Sequence, residues 1–143
     1  MLSKGQLLYK ELSYQLVGCL IETRKNFGPG HKEKFYHEAL AEELKSNNIN
    51  FEREKPINIY HPKTGKRMNS SYRPDFLIDN KIILEIKALP FIPKQTIDQL
   101  YDYLRNSEYE LGYFVNFAAH KLTPKRIIYT NDQKPWLNLV RGT

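Results

Sequence analysis

Two carboxylates and an amine, Asp75, Glu85 and Lys87, stand in a largely apolar stretch that runs from Tyr72 to Leu89. The stretch reads as two short strands, Phe76–Ile78 and Ile82–Ile86, joined by a turn at Asp79-Asn80. Side chains alternate along a strand, so Glu85 and Lys87 share a face with Ile83, while Ile82, Leu84 and Ile86 share the other. A two-residue loop would pair Ile78 with Lys81 and place Asp75 opposite Leu84, away from Glu85. A three-residue loop, Asp79-Asn80-Lys81 with Asn80 left-handed, pairs Phe76 with Leu84 and Ile78 with Ile82, and makes one face wholly apolar. It also sets Asp75 opposite Glu85. Core packing therefore favours the register that gathers Asp75, Glu85 and Lys87 on one face. Such a cluster is costly unless water, a cation or mutual pairing satisfies it. The competing reading is a solvated face of a half-exposed hairpin, against which Leu77 and Ile83 on the charged side argue.

Other groups extend this set. Glu33 lies one turn before Tyr36 and His37, on the border of a helix's buried face; as an acid in a first turn it also favours the helix macrodipole, which could by itself account for it. Gln99 and Tyr103, four apart, stack on one side of a later helix. Lys63, Lys66 and Arg67 follow in quick succession in a turn-rich loop, either a solvated hairpin tip or a phosphate-contacting loop. His31, His37, His61 and His120 show no zinc spacing with one another or with Cys19, and His37, one turn beyond Glu33, could neighbour a metal but as a lone helical histidine reads as structural. No phosphate-binding glycine-rich loop and no nucleophile elbow occur.

The elements that must position these groups follow from periodicity. From Gln6 to Asn26, Leu8, Leu12, Leu16, Cys19 and Leu20 recur at helical spacing, and Phe27-Gly28-Pro29-Gly30 ends that helix. A second helix is expected from His31 to Ser46 with Tyr36, Leu40 and Leu44 as its stripe. Phe51–Tyr60 reads as a strand that begins properly after Pro56, and His61–Ser71 as a loop. Beyond the hairpin, Pro90 and Pro93 break the chain. Lys94–Asn106 then reads as a helix with Ile97, Leu100, Tyr101 and Leu104 on its apolar side. Leu111–Phe117 is a buried strand, Lys125–Thr130 a last strand, and Trp136, Leu137 and Leu139 a closing segment. The predicted fold class is α/β, a mixed β-sheet flanked by α-helices in a single domain over residues 1–143.

Composition narrows the class. At 143 residues and 41% hydrophobic, with ten Tyr and seven Phe, the chain is a globular domain and not a disordered one. A lone cysteine excludes an intramolecular disulfide framework and a cluster held by four of its own cysteines, and suits a reducing, cytoplasmic setting. Nowhere do about 18 consecutive apolar residues occur, so no membrane contact is expected. The formal charge of +6 favours an anionic partner, nucleic acid first.

With these residues in view, the sequence resembles the PD-(D/E)XK nuclease superfamily. Pro74-Asp75 is followed ten positions on by Glu85-Ile86-Lys87, with an acid-bearing helix before the pair and a helix after it. More closely it resembles the GxxExxY family, whose naming motif is present as Gly30-His31-Lys32-Glu33-Lys34-Phe35-Tyr36. Further similar stretches are Glu38-Ala39-Leu40, Gln99 to Leu104, Val115-Asn116-Phe117 and Lys125-Arg126-Ile127, so the likeness runs from about Glu11 to Ile128. Thr23-Arg24 departs from the family's usual Val-His, and the connection Tyr60–Tyr72 is longer than is common there.

The resemblance implies a restriction-endonuclease-like fold and a nuclease that uses Mg2+ or Mn2+. Asp75, Glu85 and the backbone carbonyl of Ile86 would hold the ion, and Glu33 would add another acid. Lys87 would orient or deprotonate the attacking water, with Gln99 supporting the site. Tyr103 would approach the substrate, and Arg73 and Tyr72, just before Asp75, would contact the phosphate backbone, alongside the basic residues Lys63, Lys66 and Arg67. Implied partners are nucleic acid, DNA ahead of RNA, with a homodimer as one option for assembly. A non-catalytic binding or assembly module on the same fold is the alternative.

Overall fold

A computed structural model describes residues 8–141 of the chain. Its core is a five-stranded mixed sheet in the order β1-β4-β5-β6-β7. The strands are β1 (Phe51–Arg53), β4 (Phe76–Ile78), β5 (Ile82–Lys87), β6 (Leu111–Asn116) and β7 (Lys125–Ile128). Only β5 and β6 pair in parallel; the remaining pairs are antiparallel. Parallel neighbours need a crossover, and α3 (Lys94–Arg105) supplies it. A separate antiparallel ribbon joins β2 (Ile57–Tyr60) to β3 (Arg67–Tyr72).

Alternation along β4, β5 and β6 sends side chains to both faces, and both are covered. On one face α1 (Lys10–Phe27) and α2 (Glu33–Ser46) bury Leu16, Leu20, Tyr36, Leu40 and Leu44 against Phe76, Ile78, Leu84, Ile86, Tyr113 and Val115. On the other, Leu100 and Leu104 of α3 and Ile57 and Tyr72 of the ribbon pack on Leu77, Ile83, Phe114 and Ile127. α3 runs so close to the sheet that a methyl group on Gly112 would sit 3.4 Å from both Leu100 and Leu104. A sheet covered on both faces explains the near-continuous apolar runs in β5 and β6. A third cluster, Tyr60 stacked on Trp136 with Leu137, closes the C-terminal end through α4 (Trp136–Arg141). Among the described residues no helix is long and apolar enough to cross a membrane.

The fold matches the predicted α/β layout of a mixed sheet flanked by helices, with corrections at several elements. The first helix begins at Lys10; Gln6 and Leu7, expected in it, lie outside the described residues. The second begins at Glu33, not His31. Phe51–Tyr60 is two strands in two sheets: the chain turns at Glu54, whose φ is 52°, and Pro56 cannot carry pairing across the gap. The loop expected to reach Ser71 is confined to the tip, and Arg67–Tyr72 is a strand whose residues stay exposed up to the buried Tyr72. It shows no apolar alternation because it pairs only with β2 in the ribbon. Tyr101 and Leu139, expected on apolar sides, are exposed.

Candidate active site

The tight turn sets the site. Asp79 and Asn80 both take left-handed conformations, at φ 49° and 53°, and Lys81 N–H donates to the Ile78 carbonyl at 2.9 Å. Phe76 then pairs with Leu84 and Ile78 with Ile82, the register that a uniformly apolar face favours. Asp75, one residue before β4, comes beside Glu85. Its backbone N–H donates to Glu85 Oε1 at 3.2 Å, and its own Oδ2 accepts from Ile86 N–H at 2.7 Å. Glu85 and Asp75 are both half-buried.

The ribbon delivers Tyr72 into the same place. Its hydroxyl donates to Glu85 Oε1, and its ring stacks on Tyr103 of α3, centroids 3.6 Å apart and 11° from parallel. The Tyr103 hydroxyl in turn accepts from Gln99 Nε2 at 3.1 Å. Tyr72, Glu85, Lys87, Thr96, Gln99 and Tyr103 line a cleft of about 50 Å3. Burial, and then the neighbouring Asp75 carboxylate, push the Glu85 carboxyl up to about 8, although bonds from Tyr72 and the Asp75 N–H oppose the rise. The same burial, with negative Glu85 beside it, lifts the Tyr72 hydroxyl far above the usual phenol range, so it stays a donor.

From the other face, α2 brings Glu33 and His37. His37 Nε2 lies 3.8 Å from Asp75 Oδ2 and 3.8 Å from Glu33 Oε2. Among the described residues it has no hydrogen-bond partner, though the atom is shielded from solvent. The Gly28–His31 turn before this helix is held by Tyr36, whose hydroxyl donates to the Gly28 carbonyl and accepts from His31 N–H at 3.2 Å. The Tyr36 ring stacks on Phe117, centroids 4.5 Å apart. Asn116, at the end of β6, accepts from Leu89 N–H and donates to the Leu89 carbonyl, which pins the segment leaving β5.

The expected residues thus fall into three positions. Glu85, Lys87, Gln99 and Tyr103 line one cleft under α3, and Asp75 adjoins it through its bonds to the Glu85 carboxylate and the Ile86 N–H, the Ile86 side chain facing the other way. Glu33 reaches Asp75 through His37 from the opposite side; among the described residues no hydrogen bond or ion pair joins it to Glu85 or Lys87. Arg73 is exposed just before Asp75. Lys63, Lys66 and Arg67 do not join them: they sit at the ribbon tip, about 16 Å along β3 from Tyr72 at roughly 3.3 Å per residue. There Gly65, at φ 72°, packs on Leu139 and Trp136.

Among the described residues no three His, Cys, Asp or Glu side chains form a ready-made metal cluster. The donor chemistry nonetheless suits a hard cation: two oxygen acids held together, with the β5 backbone beside them, and a Glu85 carboxyl whose raised proton affinity a cation would offset.

Residues 10–127 match the family model of the PD-(D/E)XK nuclease superfamily. The chain belongs to this superfamily. PD-(D/E)XK nucleases generally use divalent metals. A solved protein described as "Crystal structure of SSO0001" is similar at 24% identity and a TM-score of 0.50. The likeness covers 93% of this chain and 66% of that one, so the chain spans just under two thirds of its length, and at this identity it speaks for the fold alone. No curated protein matches.

Two residues of the site gave a weak signal or none in the sequence. His37 reads as a structural histidine, yet its spacing from Glu33 puts both on one helix face, and only the fold sets Asp75 against them. Tyr72 reads as a phosphate contact beside Arg73. Instead it is buried, and it is the partner of Glu85. That contact bridges two sheets, which local pattern does not reveal.

Proposed function

We propose that the chain is a divalent-metal-dependent nuclease that hydrolyses phosphodiester bonds, in DNA ahead of RNA, and that within the superfamily it is a GxxExxY protein. The observation that carries this is the close setting of Asp75 and Glu85, half-buried and joined through the Asp75 N–H, beside a cleft that Glu85 lines with Lys87. For the finer family, support comes from Tyr36, the last residue of the motif, which ties the Gly28–His31 turn to the helix bearing Glu33.

Asp75, Glu85 and the Ile86 carbonyl would hold Mg2+ or Mn2+, with Glu33 as a further acid reached through His37. Such an ion, when bound, neutralises charge on the phosphate and acidifies water. Lys87 would either orient the attacking water as a cation and stabilise the charge that develops on the phosphate oxygens, or, if neutral, take the water's proton and then stabilise that charge as the ammonium so formed. Tyr72 holds Glu85 in its rotamer by donating to Oε1. Gln99 fixes the Tyr103 hydroxyl. The half-buried Tyr103 ring, backed by Tyr72, borders the cleft where a sugar or base would lie. Arg73 takes the phosphate beside the scissile bond. Lys63, Lys66 and Arg67, farther along the ribbon, suit a polyanion long enough to reach both positions.

A non-catalytic nucleic-acid-binding module is the second reading; the lack of a preassembled three-ligand cluster among the described residues favours it. Calorimetry of Mn2+ binding to the wild type and to Asp75→Ala separates the two. The nuclease reading expects binding in the first and its loss in the second; equal affinity sinks the metal site. A panel of linear, circular, single- and double-stranded DNA and RNA with Mg2+ or Mn2+, run beside Lys87→Ala, then identifies the substrate. Cleavage undiminished in Lys87→Ala would mark a contaminant.

A further inference from the structure

The solvent side of α1 carries a pattern that neither the core nor the cleft uses. At 3.6 residues per turn, Glu11, Tyr14, Gln15, Gly18, Ile21, Glu22 and Lys25 all fall within about 60° of Gly18 around the helix, and all are exposed. Beside its charges, which lie on and near the centre line, the stripe carries two large apolar side chains that an ordinary solvated face would lack: Tyr14 is 79% exposed and Ile21 48% exposed. Gly18, between them, is a poor helix former in mid-helix. Among the described residues nothing lies within 4 Å of where its side chain would begin, so none of their contacts demands a glycine there. Over Gly18 the stripe itself forms one wall of a groove of about 790 Å3, which Glu43 and Asn47 of α2 close on the other side.

We infer that this face of α1 is the interface of a homodimer in which two copies of α1 cross antiparallel at Gly18. The charges select that occupant and that orientation. Glu11 and Lys25 stand seven residues either side of Gly18, so an antiparallel crossing sets Glu11 of each copy against Lys25 of the other, twice over. Tyr14 meets the facing Glu22, whose carboxylate can accept from the phenol. A parallel crossing would instead oppose Glu11 to Glu11, Glu22 to Glu22 and Lys25 to Lys25. A two-fold interface must be self-complementary, and only the antiparallel arrangement is. Glycine at the crossing lets the helix axes come closer than the usual separation of about 8–10 Å, and Ile21 of each copy then fills the partner's groove. The seven seam residues with Glu43 and Asn47 are far fewer than the roughly 20 residues a side of a standard interface, so the dimer is weak and reversible. The inference does not depend on the nuclease reading, because none of these residues lines the cleft.

Sedimentation equilibrium of the whole chain over a concentration series tests it. The wild type is expected to show a monomer–dimer equilibrium with Kd in the micromolar range. Glu11→Lys leaves two cations on each seam and Lys25→Glu leaves two anions, so each variant alone should dimerise at least tenfold more weakly. An equimolar mixture of the two should dimerise as the wild type does. Circular dichroism and unchanged melting verify that both variants fold. In addition, Gly18→Cys, with Cys19 buried, should give a covalent dimer under mild oxidation. A wild type that stays monomeric throughout the series, or a dimer indifferent to both reversals, would overturn the proposal.

Discussion

Replacing Glu85 by Gln should stabilise the protein at alkaline pH and leave it nearly unchanged at pH 5. Burial and the Asp75 carboxylate raise the Glu85 carboxyl from 4.5 to about 8 in the folded chain, whereas the unfolded chain keeps the ordinary value. The folded state therefore holds its proton longer. The stability linked to that proton is complete below about pH 4.5, falls as pH rises, and is gone above about pH 8. At about 1.4 kcal/mol per tenfold change in the ionisation constant, the ceiling is about 5 kcal/mol. Water entering the cleft lowers the realised value to about 2–4 kcal/mol. Gln keeps an oxygen to accept from Tyr72 and from the Asp75 N–H, the two bonds that Glu85 Oε1 makes, but carries no charge. Urea unfolding of both proteins from pH 5 to pH 9, extrapolated to water, reads the difference directly, since titrating groups that do not interact with Glu85 cancel in the comparison and what remains belongs to Glu85 and its partner Asp75. A gap between the two that stays constant within about 0.5 kcal/mol across this range would refute the assignment of a carboxyl pair at the cleft.

Tyr72→Phe removes the hydroxyl donor from Glu85 and keeps the stack on Tyr103; a loss of about 1–3 kcal/mol is expected in the same urea assay at pH 6. Gly65→Ala puts a methyl group 2.9 Å from Leu139 Cβ and 3.2 Å from the Trp136 carbonyl at φ 72°. It should cost about 1–3 kcal/mol and shift the emission of Trp136, the only tryptophan. Leu104→Ala opens a hole between α3 and the sheet, where Leu104 is fully buried; a melt should show about 2–5 kcal/mol lost.

The hairpin was the most legible part of the chain. The turn and the apolar alternation of β4 and β5 admit one register with a clean core face, and that register carries Asp75 to Glu85. The stripes of α1 and α2 were equally plain, because Leu16, Leu20, Tyr36, Leu40 and Leu44 repeat at the helical period and are buried. The ribbon was poorly legible. β3 is exposed almost throughout, so it has no inward face to write an alternation into its residues. The site as a meeting of elements was also hidden: His37 and Asp75 belong to different layers, and Tyr72 and Tyr103 to two elements, the ribbon and α3, far apart in the chain but packed on one face of the sheet.

Local order therefore determined which acids and which amine this chain offers, and that two strands present them together, because the period of a strand and the geometry of a tight turn act over a few residues. Long-range packing alone decided their company. The two-stranded ribbon folds over the second face of the sheet to hand Tyr72 to Glu85, and α2 lies across the first face to bring His37 and Glu33 to Asp75. Both contacts come from burying apolar surface on opposite sides of one sheet, a force that acts between elements far apart in the chain and leaves little mark on the residues that meet there.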